Sequence, residues 1–187
     1  MPFRYGFKAE SERRAAEWRA RFKLRSEEPL DPRRIAQHMG IEVVKISDLV
    51  GLKKTSLAHL MGAGAKDFSA AAVGLGSQWL IVENEAHSIG RRTNSVAHEL
   101  SHLLLKHPPH PQFGNGGMRN HWKQIEDEAD WLGGTLLVPR PAALAVAVEG
   151  LDIDTAATRY GVSVPLMRQR LNATGAMIQV KRSRGVN

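Results

Sequence analysis

An α+β fold, helical for the most part, with a small antiparallel sheet packed beside two long helices, is what this sequence predicts. Three observations carry it. Two short runs rich in β-branched residues, IEVVKI at 41–46 and QWLIVEN at 78–84, read as strands. Two longer stretches, one around Val96–Leu104 and one from Trp122 to Leu137, repeat apolar residues at helical spacing. The 187 residues, 42% hydrophobic and 24% charged, suit one folded domain with its own core and suggest neither disorder nor a membrane bundle.

In chain order, the first helix is expected from about Glu10 to Phe22, where Ala15, Trp18 and Phe22 recur at spacings of three and four. Arg13, Arg14, Glu17 and Arg21 then occupy its wet face. Asp31 before Pro32 is a cap followed by a proline at the first helical position, and the short helix it starts should stop at Gly40. The strand at 41–46 follows. Residues 51–78, rich in Gly, Ala, Ser and Lys, hold one further strand, Ser69–Leu75.

After the strand Gln78–Asn84 comes a longer helix, with Thr93, Asn94 and Ser95 as its candidate caps. Val96, Leu100, Leu103 and Leu104 form its apolar face, and Pro108 and Pro109 stop it. The Pro-, Gly- and Asn-rich stretch His107–Arg119 should be a loop. In the second long helix, Trp122–Leu137, the apolar face is Ile125, Ala129, Leu132 and Leu136, and Pro139 lies just beyond its end. An alanine-rich helix is expected after Pro141, then short helices at Asp154–Tyr160 and Val164–Leu171, parted by Gly161.

His98-Glu99-Leu100-Ser101-His102 is an HExxH motif on the first long helix. Four residues turn a helix by a little over one revolution, so His98 and His102 share a face and their imidazoles can converge on one ion. Glu99 lies beside them, placed to act as a base on a metal-held water rather than as a ligand. The chain has no cysteine, so thiolate sites and disulfides are excluded and a metal must use His, Asp or Glu. A catalytic zinc keeps three protein ligands and one open position. Glu126 and Asp130, four apart on the second long helix, share a face and could supply a carboxylate ligand and a partner for a ligand histidine. Glu128 points about 200° away from Glu126. Without a metal, the same acidic turn would serve only to complement the helix dipole.

HELSHLLLKH followed by IEDEADWLGGTLLVP resembles the ImmA/IrrE family of metallopeptidases, whose pattern is approximately AHELGHLLLH and then EREANxFAAxLLMP. Aligned on that pattern, Glu126 falls on the first glutamate, Asp130 on the asparagine or aspartate, and Leu136, Leu137 and Pro139 on the closing LLxP. IAQHMGIEVV and HSIGRRTNSVAHE fit the upstream part, so the resemblance spans roughly Asp31 to Pro139. It implies Zn2+ held by His98, His102 and Glu126, with Glu99 as catalytic base and Asp130 fixing the free nitrogen of a zinc histidine. Zinc in such a site makes water acidic enough for Glu99 to deprotonate. Two departures stand out: Ser101 replaces a common glycine, and Gly133 and Gly134 replace alanines, weakening the second helix by up to about 1 kcal/mol each.

The implied domain plan is a zinc metallopeptidase domain over residues 1–150, including the N-terminal helices, and a basic helical extension over 151–187 packed on it. The implied activity is that of a zinc-dependent endopeptidase, a site-specific regulatory protease that cleaves a partner helix-turn-helix repressor. A rival reading rests on charge. The chain carries +7, and from Thr155 to Asn187 there are Arg159, Arg168, Arg170, Lys181, Arg182 and Arg184 but no acid. AATRYGVSVPLMRQRL at 156–171 has the small residue, turn glycine and Arg-bearing second helix of a DNA-binding helix-turn-helix. The N-terminal residues show no secretory signal and the longest apolar run is Ala142–Val148, so the cytoplasm is the expected location. His107, His110, His121 and Tyr160 are candidates for stabilising an oxyanion, and nothing in the sequence selects among them.

Overall fold

The computed structural model describes residues 3–76, 78–108 and 119–185. Helices α1 (Phe7–Arg21) and α2 (Pro32–His38) precede strand β1 (Glu42–Lys45), and a further helix, α3 (Lys54–Met61), leads to β2 (Ala70–Leu75) and β3 (Gln78–Glu83). The two long helices follow, α4 (Ile89–Leu105) and α5 (Arg119–Leu137), then α6 (Arg140–Glu149), α7 (Ile153–Tyr160), α8 (Val164–Thr174) and α9 (Ala176–Ser183). Asp31 caps α2 through the Arg33 amide, with Pro32 opening the helix, as its sequence implies.

The sheet is mixed rather than antiparallel throughout. Its order is β1-β3-β2; β3 pairs antiparallel with β2 but parallel with β1, in the register Glu42 to Leu80 through Lys45 to Glu83. The physical reason is the connection. The chain leaving β1 passes through α3 and β2 before β3, and so re-enters the sheet in the direction of β1. Among the described residues β2 is an edge strand.

Helices α4 and α5 lie between two apolar clusters. On one side Val96, Leu100, Leu132 and Leu136 meet Ile81 of the sheet together with Phe7, Ala15 and Ile35 of the first two helices. On the other, Ala97 and Leu137 join Ala142, Val146, Ala157, Met167 and Val180 from α6–α9. The C-terminal helices therefore pack on the helix that carries the motif and on the one that carries Glu126. Among the described residues, no single helix is long and apolar enough to cross a membrane.

Buried polar contacts fix how these elements meet. Glu83 at the end of β3 is buried and clasped by Arg33 of α2 and by Arg92 of α4, the latter at 2.6 Å. Burial alone would raise its carboxyl, but the two guanidinium bonds outweigh that and hold it below the ordinary carboxylate range. At the other end of the core, two buried arginines satisfy carbonyls at the C-terminal end of α5. Arg19 donates to Leu136 O and Leu137 O at 2.9 and 3.2 Å, and Arg170 to Val138 O at 2.8 Å.

Helix α4 begins at Ile89 with Ser88 as its cap, five to seven residues earlier than Thr93, Asn94 and Ser95 suggest. Ser95 is mid-helix, bonding back to Arg91 O, while Asn94 donates to Ser163 Oγ at 2.6 Å. The early start is a packing effect. Gly90 runs against the α7–α8 turn so closely that a Cβ there would stand 2.6 Å from the carbonyl carbon and oxygen of Val162. Gly90→Ala is accordingly expected to destabilise the chain by about 1–3 kcal/mol despite alanine's better helix propensity. Thermal unfolding should show it as a Tm lower by several degrees. A Tm equal to or above that of the parent would mean that the α7–α8 turn yields freely.

Candidate metal centre

The first two donors come from one face of α4. His98 and His102 lie one turn apart, and their Nε2 atoms stand 3.0 Å from each other. Helix α5 crosses beside them because Gly133 lets the backbones approach: a Cβ on Gly133 would lie 3.1 Å from the Ala97 carbonyl and 3.2 Å from the His98 nitrogen. The glycine that weakens α5 as an isolated helix thus brings it closer to the motif.

That crossing delivers Glu126. Its Oε2 is 3.2 Å from His98 Nε2, and its Oε1 is 3.7 Å from His102 Nε2. His98, His102 and Glu126 each offer a donor atom, all within 4.8 Å of one another. An ion with tetrahedral ligands at about 2.0–2.1 Å requires donor atoms roughly 3.3 Å apart, so these three residues could hold a metal ion. Asp130, one turn beyond Glu126, reaches His98 Nδ1 with its Oδ1 at 2.7 Å. A proton on Nδ1 donated to Asp130 leaves the Nε2 lone pair facing Glu126, the tautomer a metal ligand needs. Burial acts to lower the His98 pKa, but the Asp130 bond and the neighbouring carboxylates raise it overall.

Glu99 is turned aside from this triangle. The Ala72 amide on β2 donates to its Oε2 at 3.0 Å, and Oε1 takes no hydrogen bond among the described residues. Burial raises the Glu99 carboxyl above the usual range, against the lowering effects of His98 and the Ala72 amide. His98, Glu99, His102 and Glu126 all border one cleft of about 340 Å³, walled by Ala71 and Ala72 of β2 and by Trp79 and Trp122.

The other expectations fare differently. Tyr160 is buried, its hydroxyl donating to Glu27 O at 2.7 Å, and does not line the cleft. His38 packs edge-on to Trp18 and Phe22, and His87 Nε2 lies 3.1 Å from Phe68 O. Residues 109–118, which include His110 and most of the expected loop, lie outside the described residues, as does the side chain of His121; the loop's far end, Arg119, already belongs to α5. Arg170 is 2% exposed, bonded to Val138 O and to Glu12, so it is unavailable to read DNA, whereas Arg168 is exposed.

One contact was not foreseen. His107, just past the end of α4, places its Nδ1 3.0 Å from His102 Nδ1, and its Nε2 lies 3.4 Å from Glu128 Oε2. Burial lowers the His107 pKa, with Glu128 pulling the other way. Spacing alone gave no signal for it, since His107 is off the helix that carries the motif.

Two histidines and a glutamate that could hold a metal ion, with a second glutamate on the same cleft, match the arrangement expected of an HExxH metallopeptidase. The family model for the IrrE N-terminal-like domain, peptidase family M78, matches residues 36–172, well over half of the chain. The chain belongs to that family, the IrrE/ImmA type of protease. No curated protein matches it.

Proposed function

We propose that this chain is a zinc-dependent endopeptidase, a site-specific regulatory protease acting in the cytoplasm on a partner repressor of the helix-turn-helix class. The observation that carries the enzymatic part is the convergence of His98, His102 and Glu126 at zinc-like spacing, with Glu99 on the same cleft. The repressor as substrate rests on the family resemblance. The basic C-terminal end, which a DNA-bound target would tolerate nearby, is compatible with it.

Zinc held by His98, His102 and Glu126 would supply a Lewis acid that makes a water more acidic. Glu99 would serve as the base toward such a water through Oε1, while the Ala72 amide holds Oε2 and fixes the carboxylate's direction. The raised carboxyl suits a group that must both take a proton and give it up, and Glu99 then passes the proton to the leaving nitrogen. Asp130 keeps His98 in its ligating tautomer throughout.

The test is metal content together with cleavage. Protein purified with supplemented zinc is expected to carry about one zinc per chain, and chelation should stop hydrolysis of a co-expressed repressor target, with zinc restoring it. Absence of stoichiometric metal after supplementation would overturn the reading.

A further inference from the structure

The side chains of His107 and Glu128 are only 8% and 11% exposed, yet among the described residues neither meets a lysine or arginine through a salt bridge. Burying a carboxylate with so little compensation is costly. Glu128 has two polar partners among the described residues, His107 and Gln124, whose Nε2 donates to Oε1 at 3.2 Å. The pair stands directly behind His102.

We infer that Glu128 and His107 form a positioning relay that holds His102 in its zinc-ligating tautomer, as Asp130 does for His98. The inference rests on the metal reading above, and its chemistry follows from the donors and acceptors available. If His102 offers Nε2 to a metal, its Nδ1 carries the proton and must find an acceptor. Among the described residues, His107 Nδ1 stands 3.0 Å from it. For that nitrogen to accept, His107 carries its own proton on Nε2, and Nε2 faces Glu128 Oε2 at 3.4 Å, an acceptor. Each step is consistent with the next: His102 Nδ1–H donates to His107 Nδ1, and His107 Nε2–H donates to Glu128. The opposite tautomer of His107 would set two N–H groups against each other.

The backbone is shaped to bring this about. Lys106, at the C-cap of α4, adopts a left-handed conformation with φ 56°, which a non-glycine residue seldom takes. The chain folds back there, the His107 amide bonds to His102 O at 2.9 Å, and the imidazole of His107 comes to rest edge-on to that of His102, with ring centres 5.0 Å apart. The two histidines are thereby each steadied from α5, His98 by the exposed Asp130 and His102, through His107, by the buried Glu128. His107 also borders the cleft, but its two ring nitrogens meet His102 and Glu128, so its role in this relay is exercised through His102.

The experiment measures zinc affinity by chelator competition on the full chain, alongside the nitrogen NMR of its histidines. His107→Ala is expected to weaken zinc by about 10- to 100-fold. His107→Asn places an amide oxygen where Nδ1 stands and should recover most of that loss. In the zinc-loaded parent, His107 should be neutral with its proton on Nε2, and His102 should show a slowly exchanging Nδ1–H. Parental zinc affinity in His107→Ala, an asparagine variant no better than alanine, or a His107 protonated on Nδ1 in the zinc form would each overturn the inference. A parent chain that binds no zinc would instead defeat the metal reading itself. Should His107→Ala fail to fold, the asparagine variant and the tautomer in the parent still decide the matter.

Discussion

Glu99→Gln is expected to retain zinc at parental stoichiometry and to lose peptide-bond cleavage by about 100- to 10,000-fold, the range that general acid–base catalysis contributes. Glutamine is nearly isosteric, and its carbonyl oxygen can still accept the Ala72 amide bond that Glu99 Oε2 accepts. The α4–β2 contact and the donor set of His98, His102 and Glu126 should therefore survive the change. What disappears is the only function an amide cannot supply, removal of a proton from water. Metal analysis and the cleavage rate of a helix-turn-helix repressor target, measured on the same preparation, check both halves. Undiminished proteolysis would mean that another group activates the water, and zinc loss would mean that Glu99 supports the metal directly.

Glu126→Gln should abolish tight zinc binding, a larger loss than the about 10- to 100-fold expected when Asp130→Ala removes the partner of a ligand histidine. Glu126 alone on α5 brings a carboxylate oxygen to within 3.2 Å of His98 Nε2. Glu128, two residues on, faces His107 instead. Because glutamine keeps an acceptor for His107 Nε2–H, Glu128→Gln should change zinc affinity little, although Glu128→Ala would remove that acceptor. The order of zinc dissociation constants across the three variants is the measurement. Zinc retained in Glu126→Gln but lost in Glu128→Gln would show that the wrong face of α5 has been assigned to the metal.

Helical periodicity explains why so much of this centre could be read in one dimension. HExxH sets two imidazoles on one face whatever the rest of the protein does, and the spacing of Glu126 and Asp130 sets two carboxylates on one face in the same way. Apolar spacing likewise marked α1, α4 and α5, and Asp31-Pro32 marked the start of α2. Elements with little apolar patterning were harder to see. Helix α3 lies in a Gly-, Ala- and Lys-rich stretch with no buried residue, and α9 follows a glycine with only Ala176 and Val180 buried. The polar segment before the motif hid the true start of α4, since Gly90 earns its place by packing on the α7–α8 turn.

By itself, then, the sequence determined a predominantly helical α+β domain, two histidines and a base on one helix, and a pair of carboxylates on another. It carried no information on how those helices cross. Only the tertiary structure decided that Gly133 brings α5 onto Ala97 and His98, that β1 runs parallel to β3, and that Arg19 and Arg170 are buried caps for α5 rather than surface charge. It also decided that His107 and Glu128 meet behind His102. The reason is range: a helix repeats over about 3.6 residues and is legible in any short window, whereas these contacts join residues far apart in the chain. Their partners are chosen by packing and by the need of each buried polar group for a bond.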